Sequence, residues 1–342
     1  RRHTRWRLVS RGLGDVYKRQ GYGYDDNTYD FNDMTNVDCL VCHDQTGTYA
    51  KAPKTAGLPD PNVDLGAVAR SVADNGGVPT IDNCIDCHAK AGGGDNVKHG
   101  DIAMSLVDTT KEFDVHMGSV ESGGASLDCV ACHGVNKVDE MVVDHGIGGM
   151  PYHSVDEGEL KTCEGCHGDA NSRHAGKPVE AVIASHSMLA CQVCHIPAFA
   201  RQTPTKTQWY WADAGDLERG EEYDPSVDYG EKGVPVYDPK KGTFVWENNV
   251  RPTLRYFDGM WDRFIIEAYD KFTGTPTTEA PVVLGEPSAD YKTVGAKIYP
   301  FKKMIGNQPA DANNNTVLVP HLFGTKGGPN PYWGNWNWDL AL

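Results

Sequence analysis

Apolar residues recur at regular spacing only in short runs along this chain. Before residue 200 the pattern predicts helices over 63–74 and 101–108, and a stronger one from Pro178 towards Cys191. Pro178 suits the first helical position, where a missing N–H leaves nothing unpaired. Val179, Val182, Ile183 and His186 then share one face, so the imidazole points towards whatever the apolar stripe packs on. Between these runs, Asn75-Gly76-Gly77 and Gly92-Gly93-Gly94-Asp95 mark loops. The pattern changes after residue 200. Val234–Tyr237 and Thr243–Glu247, joined by Asp238-Pro239-Lys240-Lys241-Gly242, read as a hairpin, whereas Trp261, Phe264, Ile265, Ala268 and Phe272 follow helical spacing.

Composition sharpens this picture. Only 39% of the 342 residues are hydrophobic and mean hydropathy is -0.50, a thin supply for a polypeptide core. No stretch approaches the roughly 18 apolar residues of a membrane span. Residues 1–20 carry seven basic side chains against the single acid Asp15, whereas from residue 21 onward 25 Lys and Arg face 46 Asp and Glu, a net charge of -21. The basic stretch lacks the apolar run of a secretory signal, and its Gly12-Leu13-Gly14-Asp15-Val16-Tyr17-Lys18-Arg19-Gln20 ending resembles translated adapter sequence. Residues 1–20 are therefore expected to be non-native, with a basic partner-binding arm as the alternative. The acidic body argues against nucleic acid and for basic or membrane-bound redox partners; an anionic substrate needs local lysines to override the field.

All ten cysteines fall into five Cys-x-x-Cys-His motifs: Cys39-Cys42-His43, Cys84-Cys87-His88, Cys129-Cys132-His133, Cys163-Cys166-His167 and Cys191-Cys194-His195. Two thiols on one turn of backbone can each form a thioether to a haem vinyl group, and the next residue presents an imidazole to the iron. A zinc knuckle, a redox dithiol or a disulfide would not require the histidine. Five covalent haems c are predicted, attached outside the cytoplasm, hence a periplasmic or extracellular location. The fold class expected is a multihaem cytochrome c: mainly short α-helices and loops wrapped around a haem array, with a few β-hairpins in the C-terminal part. Residues 21–200 would form the five-haem domain. Residues 201–342 would be a haem-free, aromatic-rich segment packing on it. Trp209, Trp211, Trp246, Trp261, Trp333, Trp336 and Trp338 lie beyond the last motif, either covering porphyrin faces or forming ordinary core.

Setting aside His3, seven histidines stand outside the motifs: His99, His116, His145, His153, His174, His186 and His321. Five irons need five sixth ligands, so most haems are expected to be bis-histidine and saturated, passing electrons without binding substrate. Met104 or Met117 is the weaker alternative.

Several stretches resemble the octahaem tetrathionate reductase family. They are Asn36 to Asp44 with Thr46-Gly47-Thr48-Tyr49, Gly92 to Asp95 leading to Lys98-His99-Gly100-Asp101, Ala190 to Pro197, Val319 to Gly324, and Tyr332-Trp333-Gly334-Asn335. The resemblance spans most of residues 21–342. It implies about eight haems in the full-length protein, one carrying a lysine as its displaceable sixth ligand, and reduction of tetrathionate, nitrite or hydroxylamine. It further implies that three motifs lie upstream of Gly21. Lys51 is the residue expected to supply that amine, with Asp44 and Lys98 as proton or anion partners. A non-catalytic electron carrier or a subunit of an extracellular cytochrome wire is the alternative. The pentahaem ammonia-forming nitrite reductases match in haem number, but their Cys-x-x-Cys-Lys motif is absent.

Overall fold

Each Cys-x-x-Cys-His motif folds as a short helix: Leu40–His43, Ile81–His88, Cys129–His133, Cys163–His167 and Cys191–His195. The structure is a computed structural model and describes residues 38–52, 58–89, 94–97, 102–137, 140–143, 162–217, 234–263, 270–323 and 331–342. The chain divides into two units, Arg1–Ser187 and Met188–Leu342, so the fifth motif belongs with the aromatic-rich segment.

In the first unit the helix Leu65–Asp74 starts at Asp64, whose carboxylate accepts from Ala67 N at 2.9 Å, and it buries Val68 completely. It ends at Gly76 and Gly77, with φ of +67° and +72°, a left-handed pair that glycine adopts without strain. Asn83 ties the next motif to this region: its side-chain oxygen accepts from Thr80 N at 2.9 Å and its amide donates to Asp44 O at 2.7 Å. Further helices are Ala170–His174 and Glu180–Ser185, and Gly134–Lys137 pairs antiparallel with Glu140–Val143. Among the unit's described residues the buried apolar ones are small or aliphatic: Val68, Ile85, Ala89, Val97, Ala103 and Val130.

Two helices are shorter than their spacing predicts. Over 101–108 only the single turn Met104–Leu106 forms, because Met104 N is taken by Asp95 Oδ1 at 2.8 Å and Asp108 turns left-handed. The helix after Pro178 is confined to Glu180–Ser185; there the Ser185 hydroxyl donates back to Ala181 O at 2.6 Å and His186 leaves helical geometry.

The second unit is built on a four-stranded sheet in the order Ile305–Asn307, Thr205–Tyr210, Gly242–Glu247, Tyr237–Asp238; the first pair is parallel and the others antiparallel. The predicted hairpin is its last pair, with the first strand confined to Tyr237–Asp238 and not running over Val234–Tyr237, and alternation along Gly242–Glu247 buries Phe244 and Trp246. Thr253–Phe257 pairs with Lys297–Phe301. Helical spacing fails at Trp261, which lies in the strand Trp261–Arg263 paired with Gly285–Pro287; there its ring meets Phe257 at 5.8 Å and Phe301 at 5.4 Å. Phe264, Ile265 and Ala268 fall outside the described residues. Short helices Tyr332–Asn335 and Trp338–Ala341 close the chain, with Tyr332 stacked on Trp338 at 3.8 Å.

Candidate functional site

A one-turn helix places residues three apart on one side, so the two thiols of a motif face the same way and the histidine follows at its end. Cys39, Cys42, Cys132, Cys163, Cys166 and Cys194 are exposed, and Cys84, Cys129 and Cys191 are partly so. Apolar side chains within and just before motifs are exposed as well: Val41 at 41% and Met188 at 48%. Outward thiols beside uncovered apolar surface, in a first unit with no buried aromatic residue among those described, fit a large apolar disc bonded to the chain. Among the described residues no three or more His, Cys, Asp or Glu side chains gather into a metal-ion cage.

Several imidazoles are aimed by their Nδ1 atoms. In His43 Nδ1 meets Gly77 O at 2.5 Å, in His174 it meets Ala170 O at 2.7 Å, and in His186 it meets Val182 O at 3.0 Å, with Ser185 Oγ at 2.9 Å. A carbonyl oxygen only accepts, so Nδ1 carries the proton in each and Nε2 keeps the lone pair that a metal needs. His133 is held towards its neutral form by burial.

His116 stands opposite His167, with ring centroids 5.8 Å apart and planes at 62°. Two imidazoles on either side of one metal, with bonds of about 2 Å, place their centres about 6 Å apart. The loop carrying His116 is rigidly built. Asp114 Oδ1 accepts from His116 N at 2.8 Å and Met117 N at 2.9 Å, His116 O accepts from Leu127 N at 2.8 Å, and Gly118 packs against the backbone of Lys111 and Asp114.

The first three motifs converge. Cys84 and Cys129 hydrogen-bond to one another, and that contact, then burial, then the nearness of Cys129 and Cys42 push the Cys84 thiol up. Asn83 and Gln45 fasten the first motif to the second: Gln45 Nε2 donates to Asn83 Oδ1 at 3.1 Å and to Val78 O at 3.3 Å.

Lys51 lies beside the first motif. Its amine ion-pairs with Asp38 and donates to the Tyr49 hydroxyl at 2.9 Å, while that hydroxyl donates to Asp38 Oδ2 at 2.7 Å. Burial lowers the Lys51 amine from its ordinary value. Asp44 is 7% exposed and accepts from Thr46 N at 2.8 Å, Thr46 Oγ1 at 2.7 Å and Tyr49 N at 3.0 Å. Burial works to raise its carboxyl, but these bonds bring it below its ordinary value. Asp38 and Tyr49 lie in the stretches that carry the resemblance, but nothing in the sequence assigned them a role, and the fold brings both to the Lys51 amine. His321 is exposed, its backbone clamped by bonds to Ala341 O and from Tyr332 N, each 2.8 Å. Lys98, His99, His145 and His153 lie outside the described residues, as does the side chain of Cys87.

A family model described as "Cytochrome c bacterial" matches residues 206–342. The whole chain is similar to an octahaem cytochrome c from Shewanella oneidensis: TM-score 0.67 and 35% identity, covering 98% of this chain and 67% of that one. An uncharacterized protein of Archaeoglobus fulgidus is 32% identical over 129 residues, 31% of this chain, and the chain spans 40% of that protein's length.

Proposed function

The chain belongs to the multihaem cytochromes c, and from that premise we propose that it relays electrons through five covalent haems as the C-terminal part of a longer, octahaem reductase, periplasmic or extracellular. Small sulfur and nitrogen compounds (tetrathionate, nitrite, hydroxylamine) are its proposed substrates. Basic or membrane-bound redox proteins are its proposed donors. The observation that carries the electron-transfer reading is the set of five short helices, each ending in the histidine of a Cys-x-x-Cys-His motif. When bound, the haem irons supply one-electron transfer along the array.

The chain's own residues would hold and orient those groups. His43, His88, His133, His167 and His195 are the proximal ligands. His116, whose ring lies 5.8 Å from that of His167, would serve with it at one iron. His174 and His186 present Nε2 as distal donors, and His99, His145, His153 and His321 complete the supply. Lys51 is assigned to the displaceable position of a reactive centre, with Asp44 fixing the loop that carries it and Lys98 drawing in the anion. The lowered Lys51 amine and its proton partners Asp38 and Tyr49 support this role.

A second reading, a wire without substrate chemistry, is favoured by the same contact, since an amine engaged by Asp38 and Tyr49 already has partners. Haem stoichiometry and the spectral response to nitrite or hydroxylamine, measured on the full-length haem-loaded protein, separate the two. In the catalytic reading one haem responds, and Lys51→Ala abolishes its lysine-ligated signature and turnover. If Lys51→Ala changes neither, the assignment of Lys51 is wrong; if no haem responds at all, the wire reading stands.

A further inference from the structure

Lys206 is a lysine buried to 2% exposure whose amine makes neither a hydrogen bond nor an ion pair with any described residue. Its Nζ lies 3.3 Å from the ring centre of Phe244, 4.5 Å from that of Trp209 and 5.0 Å from that of Trp246. The sheet builds this cage. A bulge between Lys206 and Gln208 adds one residue, so Lys206 and Trp209 come to the same face, opposite Trp246 and Phe244 in the register. The indole N–H groups are bound elsewhere: Trp209 Nε1 donates to Lys241 O at 2.8 Å and Trp246 Nε1 to Pro235 O at 2.6 Å, which pins both rings in place.

Among the described residues, few charges face the amine. From the turn after Tyr237 come Asp238 and Lys241, paired with each other at 3.4 Å. From beyond Phe301 comes Lys302, whose Nζ donates to Thr205 Oγ1 at 2.8 Å and Lys206 O at 3.0 Å. The cage strand Gly242–Glu247 offers no charge beside the amine, since its one charged residue, Glu247, is exposed opposite Thr205. Ile305–Asn307 has no titratable side chain. An ammonium here keeps three ring faces but loses water, and no carboxylate among the described residues pairs with it.

We propose that Lys206 is an internal proton-exchange group, neutral in its cage under alkaline conditions and taking up a proton as the medium acidifies, with the charged form weakening the sheet that encloses it. Burial, with repulsion from Lys241 and Lys302 partly offset by Asp238, brings the amine down to about 7. Because the folded value lies below the unfolded one, the unfolded chain holds one more proton in the interval between them. Stability contributed by this site is therefore present at high pH, falls as pH drops through that interval, and levels off below the folded value.

The test compares the haem-loaded wild type with Lys206→Met by denaturant unfolding across pH. The unfolding equilibrium of the wild type, relative to the variant, is expected to rise by about tenfold for each unit between about pH 10 and about pH 7, and then to stay level. A ratio that does not change with pH, or that changes in the opposite direction, overturns the proposal. Should Lys206→Met fail to fold, lysine-selective labelling of the reduced wild type gives the answer by NMR. One amine titrating near neutrality, displaced downward in Asp238→Asn, supports the proposal, and the absence of any lysine titrating below about pH 9 refutes it.

Discussion

A Cβ placed on Gly124 runs into the backbone of Gly118, meeting its carbonyl oxygen and lying 2.5 Å from its carbonyl carbon. Backbone cannot swing aside as a flexible side chain can, so Gly124→Ala is expected to cost about 1–3 kcal/mol and to loosen the loop that sets His116 against His167. The expected spectrum loses about one haem's share of low-spin signal while haem content is unchanged, which absorbance and EPR on the purified protein would read. An unaltered spectrum would separate His116 from iron ligation. The residue scale also shows what local sequence can express. Cys-x-x-Cys-His encodes its own turn, because residues at i, i+3 and i+4 meet on any helix. The carbonyl of Gly77 that steers His43 is invisible in the sequence, since a backbone oxygen has no residue type.

At the scale of elements, the fifth motif is held from outside itself. Ala190 N donates to Ile298 O at 3.0 Å and Ile298 N to Met188 O at 2.7 Å, and beyond the motif Phe199 and Val250 bridge antiparallel. The strand Lys297–Phe301 thus fixes the entrance to Cys191–His195. Ile298→Pro removes the donor to Met188 and should destabilise the second unit by about 1 kcal/mol or more. Its expected phenotype is one haem fewer per chain, found by mass spectrometry of the intact protein; full loading would mean that the clamp is dispensable. The hairpin at Tyr237–Glu247 was legible because alternation and a Pro-Lys-Lys-Gly turn agree there. The helical spacing at Trp261 misled because one aromatic pattern serves two periods, and contacts with Phe257 and Phe301 decide between them.

At the scale of the whole molecule, the acidic excess from residue 21 onward acts at long range and is screened by salt. Electron delivery from a basic donor protein should slow by a factor on the order of 10 or more between about 0.01 M and about 0.3 M salt, whereas delivery from a neutral reductant should hardly change. Stopped-flow reduction of the haems tests this, and equal salt dependence for both donors would remove the case for a basic partner. What the sequence determined by itself is what is written within a few residues: the five attachment turns, the surplus of histidines and the sign of the field. Which imidazole faces which, how Asp38 and Tyr49 come to hold Lys51, and how a bulge seals Lys206 among three rings were decided only in the tertiary structure. Several of those contacts join residues far apart in the chain, and the geometry of all of them depends on backbone closure and packing, which no local pattern of residue types specifies.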